Sequence, residues 1–334
     1  MAGLLVWAAA AVADPIRVAT YAAPFGREGP GLLLRDLGRE DAQIDAAARI
    51  VAEAGPDVLL LTDVDYDHDR LGLAALADRL GYPHAFALAP NAGVPTGLDL
   101  DGNGRLSEPR DAQGYGRFTG DSGMALLSRW AVVEADVVDH SARLWRDLPG
   151  ATLPEGMTDA VMAIQRLSST GHWEVPVHAP GGPLVLLAWS ATPPVFDGPE
   201  DRNGLRNRDE LRLWRQVIPG RSGFVLIGNA NLDPTDGEGL RDEMADLLAD
   251  PAVIDPRPAS AGGRAAADAD HAGDPSLDTA EWDGPGNLRV SYVLPSADWR
   301  VTDAGVLWPA PGEPLAEVAA AAGPHRLVWV DIDR

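Results

Sequence analysis

Seven short runs of Val, Ile and Leu, each breaking off in polar residues, constrain this chain more than any other feature. They are "IRVATY" (16–21), "DVLLLTD" (57–63), "GMALLSR" (123–129), "PLVLLAWS" (183–190), "FVLIGN" (224–229), "LRVSYVLP" (288–295) and "HRLVWVDI" (325–332). Their length and β-branched content predict buried strands rather than helices. Helical spacing appears over 41–54, with Ile44, Ala47, Ala48 and Val51 on one side, and over 69–80, 208–218 and 239–249. Asn207 and Glu210 have the spacing of a capping box at the third of these, with Asn in place of Ser or Thr. Several strands follow one another with no helix between them. That predicts an α+β fold of packed, largely antiparallel sheets flanked by helices, rather than a doubly wound parallel sheet. The stretch 257–287, rich in Gly, Ala, Asp and Pro, reads as a long surface loop. No internal repeat or dividing linker is visible, so a single domain is expected.

Composition narrows the partners. Among 334 residues there are 50 acidic and 27 basic side chains, for a formal net charge of -23, and every basic residue is Arg. Nucleic-acid affinity comes largely from cations neutralising phosphates, so no nucleic-acid partner is expected. A local Arg cluster could still hold a small phosphate ester, and a protein partner is compatible with the surface loops. The acidity also fits solubility in a salty or extracellular setting. The chain has no Cys, which excludes disulfides and thiolate chemistry. The opening "MAGLLVWAAAAVADP" has an apolar run over residues 4–12 and Ala-Val-Ala before Asp14. This predicts a signal peptide over 1–13, a mature domain over 14–334, and a periplasmic or secreted location, although the usual positive leader is missing. A short N-terminal helix is the other reading. No other segment approaches the ~20 apolar residues of a membrane span.

Polar residues gather where the apolar runs stop: "ATYAAP", "LLLTDVDYD", "LLAWSATPPVFDG", "LIGNANLDP", "RVSYVLPS" and "AAGPHRLVWVDI". In this order they resemble the endonuclease/exonuclease/phosphatase superfamily over about residues 16–333. That superfamily comprises magnesium-dependent phosphoesterases, among them deoxyribonuclease-like, sphingomyelinase-like and inositol-phosphatase-like enzymes. The chain is similar in particular to an exported bacterial subgroup carrying "TPPVFDGPEDRNG", "GRFxGxxGMAxLSR" and "HRLVWVDI". The resemblance implies a four-layer α/β/β/α sandwich. It also implies Mg²⁺ held by an Asn and a Glu at the first two strand ends, a Gly-Asp-x-Asn turn, and two His residues, one of them oriented by an Asp.

Carried over position by position, most of that machinery is replaced. The first metal Asn falls on Ala22, and the metal Glu on the shorter Asp63. The phosphate-side His falls on Ser190, where His-Pro-Thr-Pro-Pro reads Ser-Ala-Thr-Pro-Pro. The Asp of Gly-Asp-x-Asn falls on Asn229, while its Asn is kept as Asn231. The Asp before Tyr-Val-Leu falls on Ser291. Ser-Asp-His reads Gly323-Pro324-His325, so His325 is retained without its orienting carboxylate. The expectation is a catalytically impaired or inactive member, with Mg²⁺ poorly held. The alternative is an active metal-dependent phosphoesterase with an altered site, built from Asp63, Asn231, His325 and the alternating Asp65, Asp67 and Asp69.

A second metal signal is independent of the resemblance. In "GLDLDGNGRLSEPRD" (97–111), Asp99, Asp101 and Asn103 precede Gly104, and Arg105 stands where an EF-hand-type loop ligates through a backbone carbonyl. Ser107 occupies the ninth position. The twelfth is Arg110 rather than Glu, which leaves Glu108 or Asp111 to substitute. The stretch reads as a calcium loop, or as an ordinary Asn-Gly turn.

Overall fold

All seven apolar runs form strands, because side chains leaving either face of each one reach a core. The computed structural model describes residues 14–334; the leader expected over 1–13 lies outside the described residues. In chain order the strands begin with β1 (Ile16–Tyr21), β2 (Val58–Val64), β3 (His84–Phe86), β4 (Gly123–Ser128), β5 (Val138–Asp139) and β6 (Gly171–Val177). They continue with β7 (Leu184–Ser190), β8 (Phe224–Asn229), β9 (Ala280–Trp282), β10 (Gly286–Leu288), β11 (Ser291–Pro295), β12 (Arg300–Leu307) and β13 (Leu327–Asp333). The helices are α1 (Leu32–Leu37), α2 (Ala42–Ala54), α3 (Leu71–Leu80), α4 (Asp159–Met162), α5 (Arg202–Val217), α6 (Asp242–Leu248), α7 (Ala261–Ala265) and α8 (Ala316–Ala322).

One sheet has the order β12-β13-β1-β2-β4-β3 and the other β11-β8-β7-β6-β5. Only β1–β2 and β7–β8 pair in parallel, so both sheets are largely antiparallel. Alternate residues sort into layers. Val18, Val58 and Leu60 meet Leu186, Val225 and Ile227 of the facing sheet. Their neighbours Ala19, Leu59 and Leu61 turn outward onto Ile44, Ile50 and Leu76 of α2 and α3. On the far side Trp189, Leu226 and Leu294 pack on Leu211 and Trp214 of α5 and Met244 of α6. The result is the expected four-layer α/β/β/α sandwich. No helix among the described residues is long and apolar enough to cross a membrane.

Two expectations need correction. The helix expected over 208–218 begins earlier, at Arg202, so Asn207 and Glu210 lie inside α5 rather than at a cap. Both are instead spent on tertiary links. The Asn207 amide donates to the Thr192 and Ala230 carbonyls at 2.7 Å each, and Glu210 accepts from Ser169 and Thr192. Nor is 257–287 a surface loop. It contains α7 and the β9–β10 hairpin, and Leu277, Asp278, Thr279 and Ala280 are buried. The sequence pattern also misses β6, interrupted by Pro176, and the edge strand β12, whose outer residues are exposed and polar.

Candidate functional site

Pairing register places three of the replaced positions side by side. Ser190 of β7 pairs with Asn229 of β8, which pairs with Ser291 of β11. All three are buried. Asn229 Oδ1 accepts the Asn231 backbone N–H at 3.0 Å, and Asn231 sits at φ 51 with its amide donating to the Ala191 carbonyl at 2.7 Å. The side chains of this turn are therefore engaged in holding the turn itself. The Ser291 hydroxyl finds no hydrogen-bond partner among the described residues, while its backbone N–H donates to Thr279 Oγ1 at 3.0 Å.

Across from this row, the first sheet ends in Ala22 and Asp63. Ala22 is buried and offers no ligand. Asp63 lies at a bulge in the β2–β4 pairing, at φ 78, and its carbonyl accepts the Phe25 N–H at 3.0 Å. A side chain at Gly26 would collide with the Asp63 carboxylate, its first carbon falling 2.5 Å from Oδ1. Burial pushes the Asp63 carboxyl up to about 6, reinforced by Asp121 and opposed by a hydrogen bond from Ser122 and by Arg27. Asp65 is raised to about 6 for the same leading reason, against backbone hydrogen bonds from Ser122 and Arg27. The alternating acids do not converge on one site: Asp67 instead accepts the Leu71 and Gly72 N–H groups at the start of α3, and Asp69 is exposed. Asp121, which sequence spacing alone does not single out, lies just before β4, where its charge helps to raise both Asp63 and Asp65.

The segment Thr279–Glu281 stitches the two sheets together here. Thr279 Oγ1 holds Ser291, the Thr279 carbonyl accepts the Arg326 N–H at 2.8 Å, and the Pro324 carbonyl accepts the Glu281 N–H at 3.0 Å. Gly323, at φ 132, packs against Pro24 just after β1. His325 thus reaches the same end of the sandwich as Asn229. Its ring meets the edge of Trp282 at 5.1 Å, and its buried Nδ1 has no hydrogen-bond partner among the described residues. Burial pushes the imidazole down to about 4, helped by Arg326. It is therefore neutral at pH 7 and carries no charge for a phosphate.

Magnesium takes hard oxygen ligands, usually with one or two carboxylates. Of the positions the resemblance assigns to metal and phosphate, only Asp63 is a carboxylate. These donors do not fit the Mg²⁺ centre that the resemblance implies.

The 97–111 stretch is organised differently. Asp99 accepts N–H groups from Gly102, Asn103 and Gly104, and Asn103 Oδ1 accepts the Arg105 N–H at 2.8 Å. The Asn103 amide bonds Asp101 and Glu108. Asp111 folds back so that Asp99, Asp101 and Asp111 each bring a carboxylate oxygen within 4.8 Å of the others. Of the two candidate substitutes for the twelfth ligand, the structure brings in Asp111 and leaves Glu108 bonded to Asn103.

No curated protein matches the chain by sequence. Among solved structures it is similar to an endonuclease/exonuclease/phosphatase from Beutenbergia cavernae DSM 12333, at TM-score 0.56 and 19% identity, covering 96% of this chain and 72% of that one. It is also similar to one from Bacteroides vulgatus, at TM-score 0.54 and 12% identity over 96% and 99%. A 3'-5' exonuclease from Neisseria meningitidis gives TM-score 0.52 and 14% identity over 96% and 100%. At such identities the likeness speaks for the fold alone. The sequence itself matches the Endonuclease/Exonuclease/phosphatase family over residues 27–316. With that match spanning most of its length, the chain belongs to the endonuclease/exonuclease/phosphatase family.

Proposed function

We propose that this family member is catalytically impaired or inactive and keeps the scaffold as a binding module for a small phosphate ester or a protein partner. The observation that carries the reading is the neutral row Ser190–Asn229–Ser291 on three neighbouring strands, where the resemblance places a His and two Asp residues. Loss of one charge-stabilising donor typically costs about 10²–10³ in rate, and loss of a His-orienting Asp about 10⁴ in serine proteases. Such losses do not simply multiply, yet any two leave little turnover. Assays against phosphomonoesters and phosphodiesters with Mg²⁺, Mn²⁺ and Ca²⁺ test it. Background rates support the reading; turnover well above background that disappears in His325→Ala sinks it.

One observation favours a second reading, an active phosphoesterase with an altered site. The Asp121 charge helps to raise both the Asp63 and the Asp65 carboxyl, and Asp63 adds to the rise at Asp65. Mn²⁺ or Mg²⁺ binding that is lost in Asp63→Ala, together with hydrolysis, would select this reading over the first.

The proposal extends to calcium at 97–111 and to export. The approach of Asp111 to Asp99 and Asp101 supports the former. A melting temperature that rises in millimolar Ca²⁺, but not in an Asp99→Asn/Asp101→Asn variant, is the expected result. The apolar run and Ala-Val-Ala at the N-terminus support the latter, and the N-terminal sequence of protein recovered from its native cell tests it.

A further inference from the structure

Beside the vacated turn lies a cavity of about 520 Å³ that none of the family positions lines. Its walls come from the β8–α6 loop, from α6 and the chain just after it, from 271–278 and from Arg289. Five carboxylates face it against two guanidinia, and both guanidinia are occupied: Arg289 pairs with Asp255 at 2.5 Å and Arg257 with Asp274 at 3.4 Å. Asp233, Asp236 and Asp278 have no arginine partner, so the cavity keeps an excess of negative charge. Ala245, Leu248 and Leu277 add an apolar wall.

One acid in it is unaccounted for. Asp278 is 1% exposed, and its Oδ2 has no hydrogen-bond partner among the described residues. His271 Nε2, equally without a partner, lies 3.6 Å from it and 3.4 Å from Asp236 Oδ2. These separations are too long for good hydrogen bonds. A buried carboxylate oxygen in this state is costly and calls for an explanation. The other acids nearby have one: Asp233 accepts three backbone N–H groups, from Thr235, Asp236 and Arg289. Asp236 is itself aimed by the Ala272 and Gly273 N–H groups at 2.9 and 2.8 Å. A shared metal ion does not explain Asp278, because the Asp236 and Asp278 oxygens stand more than 4.8 Å apart. That spacing suits nitrogen donors. Two hydrogens on one ammonium or guanidinium nitrogen, each donating at about 2.9 Å, hold their acceptors about 5 Å apart.

We propose that this cavity binds a small organic cation, a primary amine or guanidinium on an alkyl stem, whose N–H groups bridge Asp236 and Asp278. The head donates to the unpartnered Asp278 oxygen and, beside His271, to Asp236. The stem lies on Ala245, Leu248 and Leu277, as Lys and Arg stems lie on apolar surface. The volume falls within the range of about 300–1,000 Å³ usual for small-molecule sites, and the charge that draws a cation repels a phosphate ester. Burial pushes the Asp278 carboxyl up to about 8, with Asp233, Asp236 and Asp274 adding to the rise and Arg289 opposing it. At pH 7 Asp278 therefore holds a proton, which an incoming cation displaces. The recognition chemistry is the same for a free amine and for the Arg or Lys side chain of a peptide.

The test titrates the full-length protein with agmatine, an alkylguanidinium with a terminal amine, by calorimetry at physiological ionic strength in buffers of different ionisation enthalpy. One equivalent is expected to bind and to release up to one proton at pH 7, with affinity rising from pH 6 to pH 8. Asp278→Asn should weaken binding about 10- to 100-fold, the scale of a hydrogen bond to a charged group, and abolish the proton release. A proton lost from His271 instead would persist in that variant. Asp99→Asn, in the other acidic loop, should change neither readout. Tetramethylammonium has the charge but no N–H, and should not bind; this comparison on wild type carries the test if Asp278→Asn fails to fold. A blocked Gly-Arg-Gly peptide that binds as tightly as agmatine assigns the site to a peptide side chain, and binding of agmatine alone assigns it to a free amine. Absence of saturable binding by either, equal binding of tetramethylammonium, or retention of affinity and proton release by Asp278→Asn overturns the proposal. Ester hydrolysis plays no part in these readouts, so the outcome is independent of the function proposed above.

Discussion

Asn229 and Asn231 are bonded to each other: the side-chain oxygen of the first accepts the backbone N–H of the second at 3.0 Å. The turn that family chemistry would aim at a metal and a phosphate is closed on itself. An Asp at 229 keeps the same acceptor, so Asn229→Asp preserves the turn while placing a charge in a buried row. Its folded-state pKa should therefore be raised. The variant matches wild type near pH 4, where the carboxyl is protonated, and loses stability as pH rises through the raised value. The deficit at pH 8 should be about 1–3 kcal/mol. Urea denaturation at the two pH values measures it. Equal stability at both would mean that the row is open to water.

Glu210 sits fully buried in α5 and accepts from the Ser169 N–H and hydroxyl at 2.6 and 2.9 Å and from the Thr192 N–H at 2.8 Å. Burial raises its carboxyl to about 7, opposed by Arg206 one helical turn away and by these hydrogen bonds. Glu210→Ala leaves the three donors without their acceptor and the buried Arg206 without its nearby counter-charge. The expected loss is about 3–5 kcal/mol, read from the denaturation midpoint at pH 7. A loss below about 1 kcal/mol, the scale of a single ordinary hydrogen bond, would show that water replaces the carboxylate.

What was legible in the sequence follows from this division of labour. The central strands announce themselves because Leu59 and Leu60 are both buried, one against helices and one against the other sheet. Strand β12 does not, because Arg300, Thr302 and Asp303 face solvent along a sheet edge, and the 257–287 stretch misleads because small and acidic residues there are buried by pairing. Asp278 is an acid in a loop-like composition, and only the fold brings it to His271. The positions from Ala22 to His325 were readable as one site through the resemblance. The bonding that ties Asn229 to Asn231, and Ser291 to Thr279, depends on register and could not be read from spacing.

His172 is 0% exposed, bonds Ser168 Oγ at 2.7 Å and packs between Trp189 and Trp214. Burial pushes its imidazole down to about 3, with His140 adding to the effect. The unfolded chain therefore binds a proton that the folded chain refuses. Its contribution to stability is complete above about pH 6.5 and is lost as pH falls toward 3, at up to about 1.4 kcal/mol per pH unit. Buried acids such as Glu210 act in the opposite direction, so the comparison needed is with His172→Phe. The stability advantage of wild type over that variant should shrink as pH falls from 7 to 4. An advantage constant with pH would place the proton on the folded imidazole.

Gly228 immediately precedes the closed turn, and its backbone sits at φ 151. A methyl group there would lie 2.0 Å from both the Trp189 ring and the Trp189 carbonyl. Neither can retreat. The carbonyl belongs to the β7 strand that pairs with β8 at this level, and the ring is fully buried against Trp214, with centroids 6.2 Å apart. Gly228→Ala thus combines a disfavoured backbone conformation with overpacking, each worth about 1–3 kcal/mol. The expected total of about 3–5 kcal/mol exceeds that for Asn229→Asp one residue later and, unlike it, should not vary with pH. The contrast separates what the scaffold demands from what chemistry would demand: the glycine is required by close approach of two strands, whereas the next position tolerates Asn or Asp at modest cost. Parallel urea titrations of the two variants at pH 4 and pH 8 check it, and a pH-dependent loss in Gly228→Ala would refute the steric account.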